Sequence, residues 1–358
     1  MTHGFTGGIT PEGRLPRTDT AVTEIGVSAR QNIIQPAQKP LQQYDRAEIS
    51  ELASCLSVFD SKTGRYLCDI IDGTQKTERI IINCCENDLY SACTAAFCRG
   101  HIESLTGGCA ILMYALGAQK AVFCCDRRSK ELIADLGVFA DKRGDMAVAV
   151  IEDKYPITAQ TLVAAIYCGG KVRQTYDEQK YTVIGAEAVI ALYNGIAHGV
   201  MHDSKVFSLC REGKAPVAVR APLAMPLFDV FKELGIELGD QSRVFCGSFI
   251  NCTSVDVDTA TVDKTTDQIL LINNFDVEHT PEHKCIHCGK CTKVCPMRLD
   301  VMSFASSGGK KPLKNADMCT KCGCCGFICP SRIDILRMIN GYWTNTKEQH
   351  DEQHDATT

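Results

Sequence analysis

Long hydrophobic runs are missing from this sequence. The longest apolar stretch, GGCAILMYALGA from Gly107 to Ala118, stops at Gln119 and Lys120, short of the ~20 residues a membrane-spanning helix needs. The opening, MTHGFTGGITPEGRLPR, has no apolar core of the kind a signal peptide carries. A basic excess is also missing: 38 Lys and Arg against 43 Asp and Glu give a net charge of −5, which does not point to nucleic acid. There is no HExxH motif. His198 and His202 in HGVMH stand four residues apart, but with no third ligand nearby they read as a solvent-facing helix end. These absences predict a soluble, cytoplasmic chain with no membrane span of its own.

Cysteine, by contrast, is abundant, at 22 of 358 residues. In a chain this long the count does not indicate a secreted disulfide scaffold. Surroundings such as AVFCCD predict buried, reduced thiols in a reducing and anaerobic cytosol. The vicinal pairs Cys84–Cys85 and Cys124–Cys125 have the form of redox-active dithiols. Nothing nearby lowers their pKa, so small apolar residues at strand ends is the expected reading.

Nine of the cysteines fall in two stretches, CIHCGKCTKVCP (285–296) and CTKCGCCGFICP (319–330). Both follow C-x2-C-x2-C-x3-C-P, a bacterial iron–sulfur spacing in which three thiolates reach one cubane and the fourth ligates the neighbouring cluster. Cys285, Cys288, Cys291 and Cys329 are thus expected on one [4Fe–4S] cluster, and Cys319, Cys322, Cys325 and Cys295 on the other. Cys324 is left over. Zinc knuckles or disulfides have no use for a fourth Cys-Pro at this spacing. Between Glu282 and Met338 ten Lys and Arg face four Asp and Glu. Two thiolate-ligated clusters carry roughly −2 each, which offsets most of that surplus. The remainder is available for docking an acidic redox partner. His287, beside Cys288, reads either as a residue tuning the cluster or as a plain surface histidine.

Upstream, residues 77–204 alternate β-branched runs (RIIINC, KAVFCC, MAVAVIE, YTVIGA) with amphipathic ones (SACTAAFCRGHIESLTGGCAILMYAL, SKELIADLGVF, TAQTLVAAIYC, EAVIALYNGIAHG), the pattern of a parallel α/β layer. Residues 205–275 change to shorter strands, KVFSLC, APVAVR, RVFCG and QILLI, around one helix, PLFDVFKELG, as in a β-grasp module. A linker then leads to the cluster domain, 276–343, and a polar tail, 344–358, has no core.

These residues resemble the C-subunit family of the Rnf electron-transport complex, related to a microcompartment cobalamin reductase and a clostridial proline-reductase-associated electron-transfer protein. The resemblance runs through FTGGITP, QNIIQPAQKP, IIINCCENDLYSAC, RAPLAMPLFDVFKELG, TVDKTTDQILLI and the paired cluster motifs. It implies a flavoprotein-like α/β domain of the complex I type, a soluble-ligand-binding β-grasp domain and a C-terminal dicluster ferredoxin domain. It also implies protein electron donors and acceptors. The family's barrel-sandwich segment is expected to be missing or reduced within residues 1–76. The family's glycine in QNIIQPAQKP is Ile34 here, and its Gly-rich flavin-phosphate loop becomes SVFDSKTGRYL with Gly64 alone. Asp88 replaces a second glutamate after Glu86, Gln160 stands for an acid and Gly185 for an asparagine. Three readings follow: a two-cluster electron relay; an FMN- and NADH-dependent oxidoreductase with Glu86 and Asp88 near the nicotinamide and Gly64 near the phosphate; and a docking scaffold that has lost its flavin.

Overall fold

The computed structural model describes residues 21–26, 44–74, 77–86, 88, 90–151, 155–156, 163, 167, 180–273 and 281–342. They fall into two compact units. One contains residues 249–253 and 281–342, the other the remaining described residues.

The larger unit opens with strand β1 (Thr23–Glu24), helix α1 (Arg46–Cys55), the hairpin β2 (Phe59–Asp60) and β3 (Arg65–Tyr66), and helix α2 (Leu67–Gly73). Asp45 and Glu48 start α1 by a reciprocal capping box, each side chain accepting the other's backbone N–H at 2.9 Å, which satisfies two donors that the helix itself cannot. Within residues 1–76, where the barrel-sandwich segment is expected to be missing or reduced, residues 46–73 are two helices around a hairpin. Ile49, Ala53 and Leu56 of the α1 region lie in the same core as Ile80 and Ile82. Their spacing along one helical face is the physical reason. The expected boundary at 76 therefore falls inside a continuous core.

The α/β layer follows: β4 (Arg79–Asn83), α3 (Cys93–Gly100), α4 (Ile102–Leu116), β5 (Lys120–Asp126), α5 (Lys130–Ala140), β6 (Met146–Ile151), β7 (Tyr181–Gly185) and α6 (Ala186–His198). Its four strands are all parallel in the order β6-β5-β4-β7. Both faces of β4 are covered, Ile80 and Ile82 on one side and Ile81 with Val122 and Val183 on the other, which is why the strand is an unbroken apolar run rather than an alternating one. Helices α4 and α6 approach closely at Gly108, where a Cβ would lie 2.3 Å from the Val189 carbonyl oxygen. Apart from Val163 and Tyr167, the residues of the helix expected at TAQTLVAAIYC lie outside the described residues, as do Gln160, Ile34 and the polar tail.

The second sheet holds β8 (Ser204–Arg211), β9 (Val217–Pro222), β10 (Arg243–Gly247), β11 (Cys252–Val255) and β12 (Gln268–Ile272), with α7 (Leu227–Glu233) across it. The order is β1-β9-β8-β12-β10-β11, with β8 antiparallel to β9 and parallel to β12. Leu227, Val230 and Phe231 of α7 pack on Phe207, Leu209, Ile269 and Leu271. This is the β-grasp arrangement, extended at both edges by β1 and β11. The expected boundary at 204 separates two sheets whose strands, β11 apart, lie in one compact unit.

The smaller unit carries the short helices α8 (Lys290–Val294), α9 (Val301–Ser306) and α10 (Cys324–Phe327), with a 3-10 turn at Ala316–Met318. Its core is small: Met297, Leu299, Val301, Phe304, Leu313 and Ile335 are among its few fully buried apolar side chains.

Candidate iron–sulfur centre and flavin-type cleft

The two cysteine motifs share one backbone conformation. His287 and Gly289 adopt positive φ between the first three cysteines of one motif, and Lys321 and Gly323 do so at the matching positions of the other. Glycine tolerates this region freely, while His287 and Lys321 occupy it against the usual preference of an L-residue. Each left-handed residue folds the chain back so that thiols three positions apart face a common point. Helices α8 and α10 then lift the third and fourth cysteines of their motifs, and α8 packs on α10. Beyond each Cys-Pro the repeat continues. Arg298 and Arg332 are both left-handed, each donates its N–H to the carbonyl of the fourth cysteine at 3.1 Å, and Asp300 and Asp334 accept the N–H groups of Ser303 and Arg337.

This geometry brings Cys285, Cys288, Cys291 and Cys329 around one pocket, closed by Ile286, Met302, Ile333 and Ile335. Cys295 lies within electrostatic reach of Cys319, Cys322 and Cys325. Burial pushes Cys291, Cys295 and Cys319 up from the ordinary thiol value and Cys325 up to about 12. Cys322 is held down to about 6, first by the thiol of Cys324, which is itself 6% exposed. Among the described residues no three His, Cys, Asp or Glu converge tightly enough for a single metal ion. A tetrahedral zinc would draw its sulfurs to about 3.8 Å of one another, whereas a cubane spreads four thiolates around an apolar pocket. The donor set and its setting fit a cluster. The His287 N–H points to the Cys285 sulfur at 3.4 Å, while the ring is exposed.

The α/β layer offers a second candidate. In an open parallel sheet, ligands bind beyond the carboxyl ends of the strands where the order reverses; here that point lies between β4 and β7. The turn between β2 and β3 sits there. Asp60, 1% exposed, accepts the Gly185 N–H at 3.0 Å, the Lys62 N–H at 3.0 Å and the Thr63 hydroxyl at 3.1 Å. Burial raises its pKa, and these three donors pull it back. Lys62 Nζ donates to the Cys85 carbonyl at 2.8 Å. Gly64 has positive φ with nothing near its Cα face, so it serves the hairpin turn. A cleft bounded by Asp60, Lys62, Thr94, Glu187 and Asp267 remains.

Glu86 and Asp88 are both inside. Glu86 accepts the Thr94 and Ala95 N–H groups at 3.1 and 3.0 Å and the Ser91 hydroxyl at 2.9 Å, capping α3. Asp88 accepts from Gln268 Nε2 of β12 at 3.2 Å. Sequence reasoning missed Lys205, which is 2% exposed and joins Glu187 at 2.5 Å, Asp267 at 2.8 Å and the Ser61 hydroxyl at 3.0 Å. Burial pulls its pKa down, and the Asp267 and Glu187 carboxylates more than reverse that. Its position in the apolar strand KVFSLC was the available signal, since a lysine there must have partners.

The vicinal cysteines are packing residues. All four are fully buried, and neighbours on a strand face opposite ways: Cys84 and Cys125 lie in one core, Cys85 and Cys124 in the other. His198 is exposed at the end of α6. His202 is not solvent-facing: its Nδ1 accepts the Phe59 N–H at 3.3 Å, and burial pushes its pKa down to about 4.

Residues 70–194 match the family model of the Nuo51 FMN-binding domain, and residues 284–333 that of the 4Fe-4S dicluster domain. The chain is similar to the C subunit of the ion-translocating oxidoreductase complex of Pasteurella multocida, 25% identical over 233 residues, covering 63% of this chain and 27% of that protein. The corresponding C subunit of Methanosarcina acetivorans is 26% identical over 156 residues, covering 43% and 35%. The chain therefore spans about a quarter to a third of the length of these curated relatives. Among solved structures, an NAD+-reducing NiFe-hydrogenase in its H2-reduced state has a TM-score of 0.51 at 14% identity, covering 80% of this chain and 54% of that one; that likeness concerns the fold. The resemblance to the Rnf C subunits, the mixed α/β fold class and the C-terminal dicluster domain are borne out.

Proposed function

We propose, for a chain related to the C subunits of ion-translocating oxidoreductases, that it passes single electrons through two [4Fe–4S] clusters from a donor protein to an acceptor protein. The observation that carries this reading is the duplicated cysteine backbone, with Cys285, Cys288, Cys291 and Cys329 of the two motifs around one pocket. Cys285, Cys288, Cys291 and Cys329 would hold one cluster, and Cys319, Cys322, Cys325 and Cys295 the other. Bound there, the clusters supply reversible one-electron chemistry. The protein's part is to line the thiolates with Ile286, Met302, Ile333 and Ile335, to direct backbone N–H groups at sulfur and to fix the two sites close together by the crossed fourth ligands. The basic surplus around the motifs supports an acidic protein partner. Among the described residues no helix is long and apolar enough to cross a membrane, and the many free thiols support a reducing cytoplasmic setting.

Iron and acid-labile sulfide on anaerobically purified protein test this. About eight of each per chain is expected, with electron paramagnetic resonance of two interacting reduced clusters. Cys295→Ala should lose about half the iron, whereas Cys324→Ala should keep all of it. Full iron in Cys295→Ala would contradict the crossed ligation, and wild-type protein without iron would end the relay reading.

A further inference from the structure

We propose that the flavin-type cleft of the α/β layer is closed to a flavin phosphate by the chain's own carboxylates, chiefly Asp60. A nucleotide phosphate is held at the carboxyl edge of a parallel sheet by helix N-termini, whose free N–H groups and positive dipole ends favour an anion. Among the described residues, acids of the chain already stand at this edge: one caps the start of α3, and two accept backbone N–H groups just before α5 and α6. Glu86 takes the Thr94 and Ala95 N–H groups at the start of α3. Asp126, at the end of β5, takes the N–H groups of Arg128 and Glu86 at 3.1 and 3.3 Å beside the start of α5. Asp60 takes the Gly185 N–H where α6 begins, with Glu187 in that helix's first turn. A phosphate brought to the point where the strand order reverses would meet Asp60 at van der Waals distance and would have to displace it from three donors.

Gly185 shows that this arrangement is built in. A Cβ there would lie 2.4 Å from Asp60 Oδ1 and 2.9 Å from Lys62 Cγ. The backbone at Gly185 has φ −70°, so its conformation does not call for glycine; the space does. The absence of a side chain at 185 is what leaves room for the acid at 60. Lys205, with Glu187, Asp267 and Ser61, braces the same wall from β8. Lys62, the cation nearest the site, is turned to the Cys85 carbonyl.

The inference deepens the relay reading, and the two fail separately: iron and sulfide decide that reading, flavin decides this one. The experiment titrates FMN, followed by quenching of its fluorescence, into the full chain and into Asp60→Asn and Asp60→Gly, with a thermal melt on each. Asn keeps the volume and one acceptor for the Gly185 N–H while removing the charge, so it decides the matter should Gly fail to fold. Wild type is expected to purify without flavin and to show a Kd above ~100 μM. A folded variant is expected to bind at least about ten-fold more tightly, because Asn removes the negative charge that repels the phosphate and Gly also frees the Gly185, Lys62 and Thr63 donors. Stoichiometric FMN in wild type would overturn the proposal, and so would a folded Asp60→Asn with no gain.

Discussion

At His202 a single proton decides a contact. Nδ1 accepts the Phe59 N–H, so the ring must be neutral there, with its proton on Nε2. Burial holds its pKa near 4 against an ordinary 6.5, despite the Glu187 carboxylate facing it, and Lys205, Lys264 and Arg220 work in the same direction as burial. The unfolded chain therefore binds a proton between pH 6.5 and 4 that the folded chain refuses. Stability is full above pH 6.5 and falls as pH drops toward 4, by up to about 3 kcal/mol from this residue. Urea midpoints across that window should show a shallower slope in His202→Asn, which keeps an acceptor without the titration. Single residues also mark the limit of what the sequence reveals. Cys285 to Cys329 could be read because thiolate ligation is encoded as local spacing. The pairing of Asp60 with Gly185 spans 125 positions, and no local pattern connects them. The lysine of KVFSLC was visible, but its partners Glu187 and Asp267 lie on other elements.

Elements with a strong period were legible. The apolar strands of the parallel layer and the described helices α3 to α6 fall where their patterns put them, and the long stretch SACTAAFCRGHIESLTGGCAILMYAL breaks into α3 and α4 at Gly100 and His101. What escaped were two-residue strands such as β1, β2 and β3, too short for a period, and α1 and α2, whose apolar positions lie among polar residues. The left-handed turns at His287 and Lys321 escaped for a related reason, since a non-glycine residue gives no sign of positive φ. Element ends are where buried acids act here. Glu86 satisfies two backbone donors of α3 from a 4% exposed position. Removing it leaves those donors unpaired and deletes a charge favourable to the helix dipole. Glu86→Ala should cost about 2–3 kcal/mol, seen as a lower melting temperature, and Glu86→Gln should recover part of it. An unchanged melting temperature in Glu86→Ala would mean that the cap contributes nothing.

On the scale of the molecule, the two compact units rest on different sources of stability. The larger one has an extended core running from Ile49 through Ile80 to Ile196, and a second under the β-grasp sheet. The smaller one has short helices of four to six residues and few buried apolar side chains. A unit of that size buries too little surface to offset chain entropy without a cross-link. Metal ligation supplies it, because sites absent from the unfolded chain turn binding free energy into folding free energy, and the crossed fourth cysteines would tie the two motifs into one body. The larger unit contains none of the eight proposed ligands. Stripping iron with a strong chelator under anaerobic conditions should therefore abolish protection from hydrogen exchange in residues 281–342. Protection of β4, β5 and β8 should stay within experimental error. A global loss of protection would mean that the larger unit depends on the clusters for its fold; unchanged protection of 281–342 would mean that the smaller unit folds on its apolar core alone.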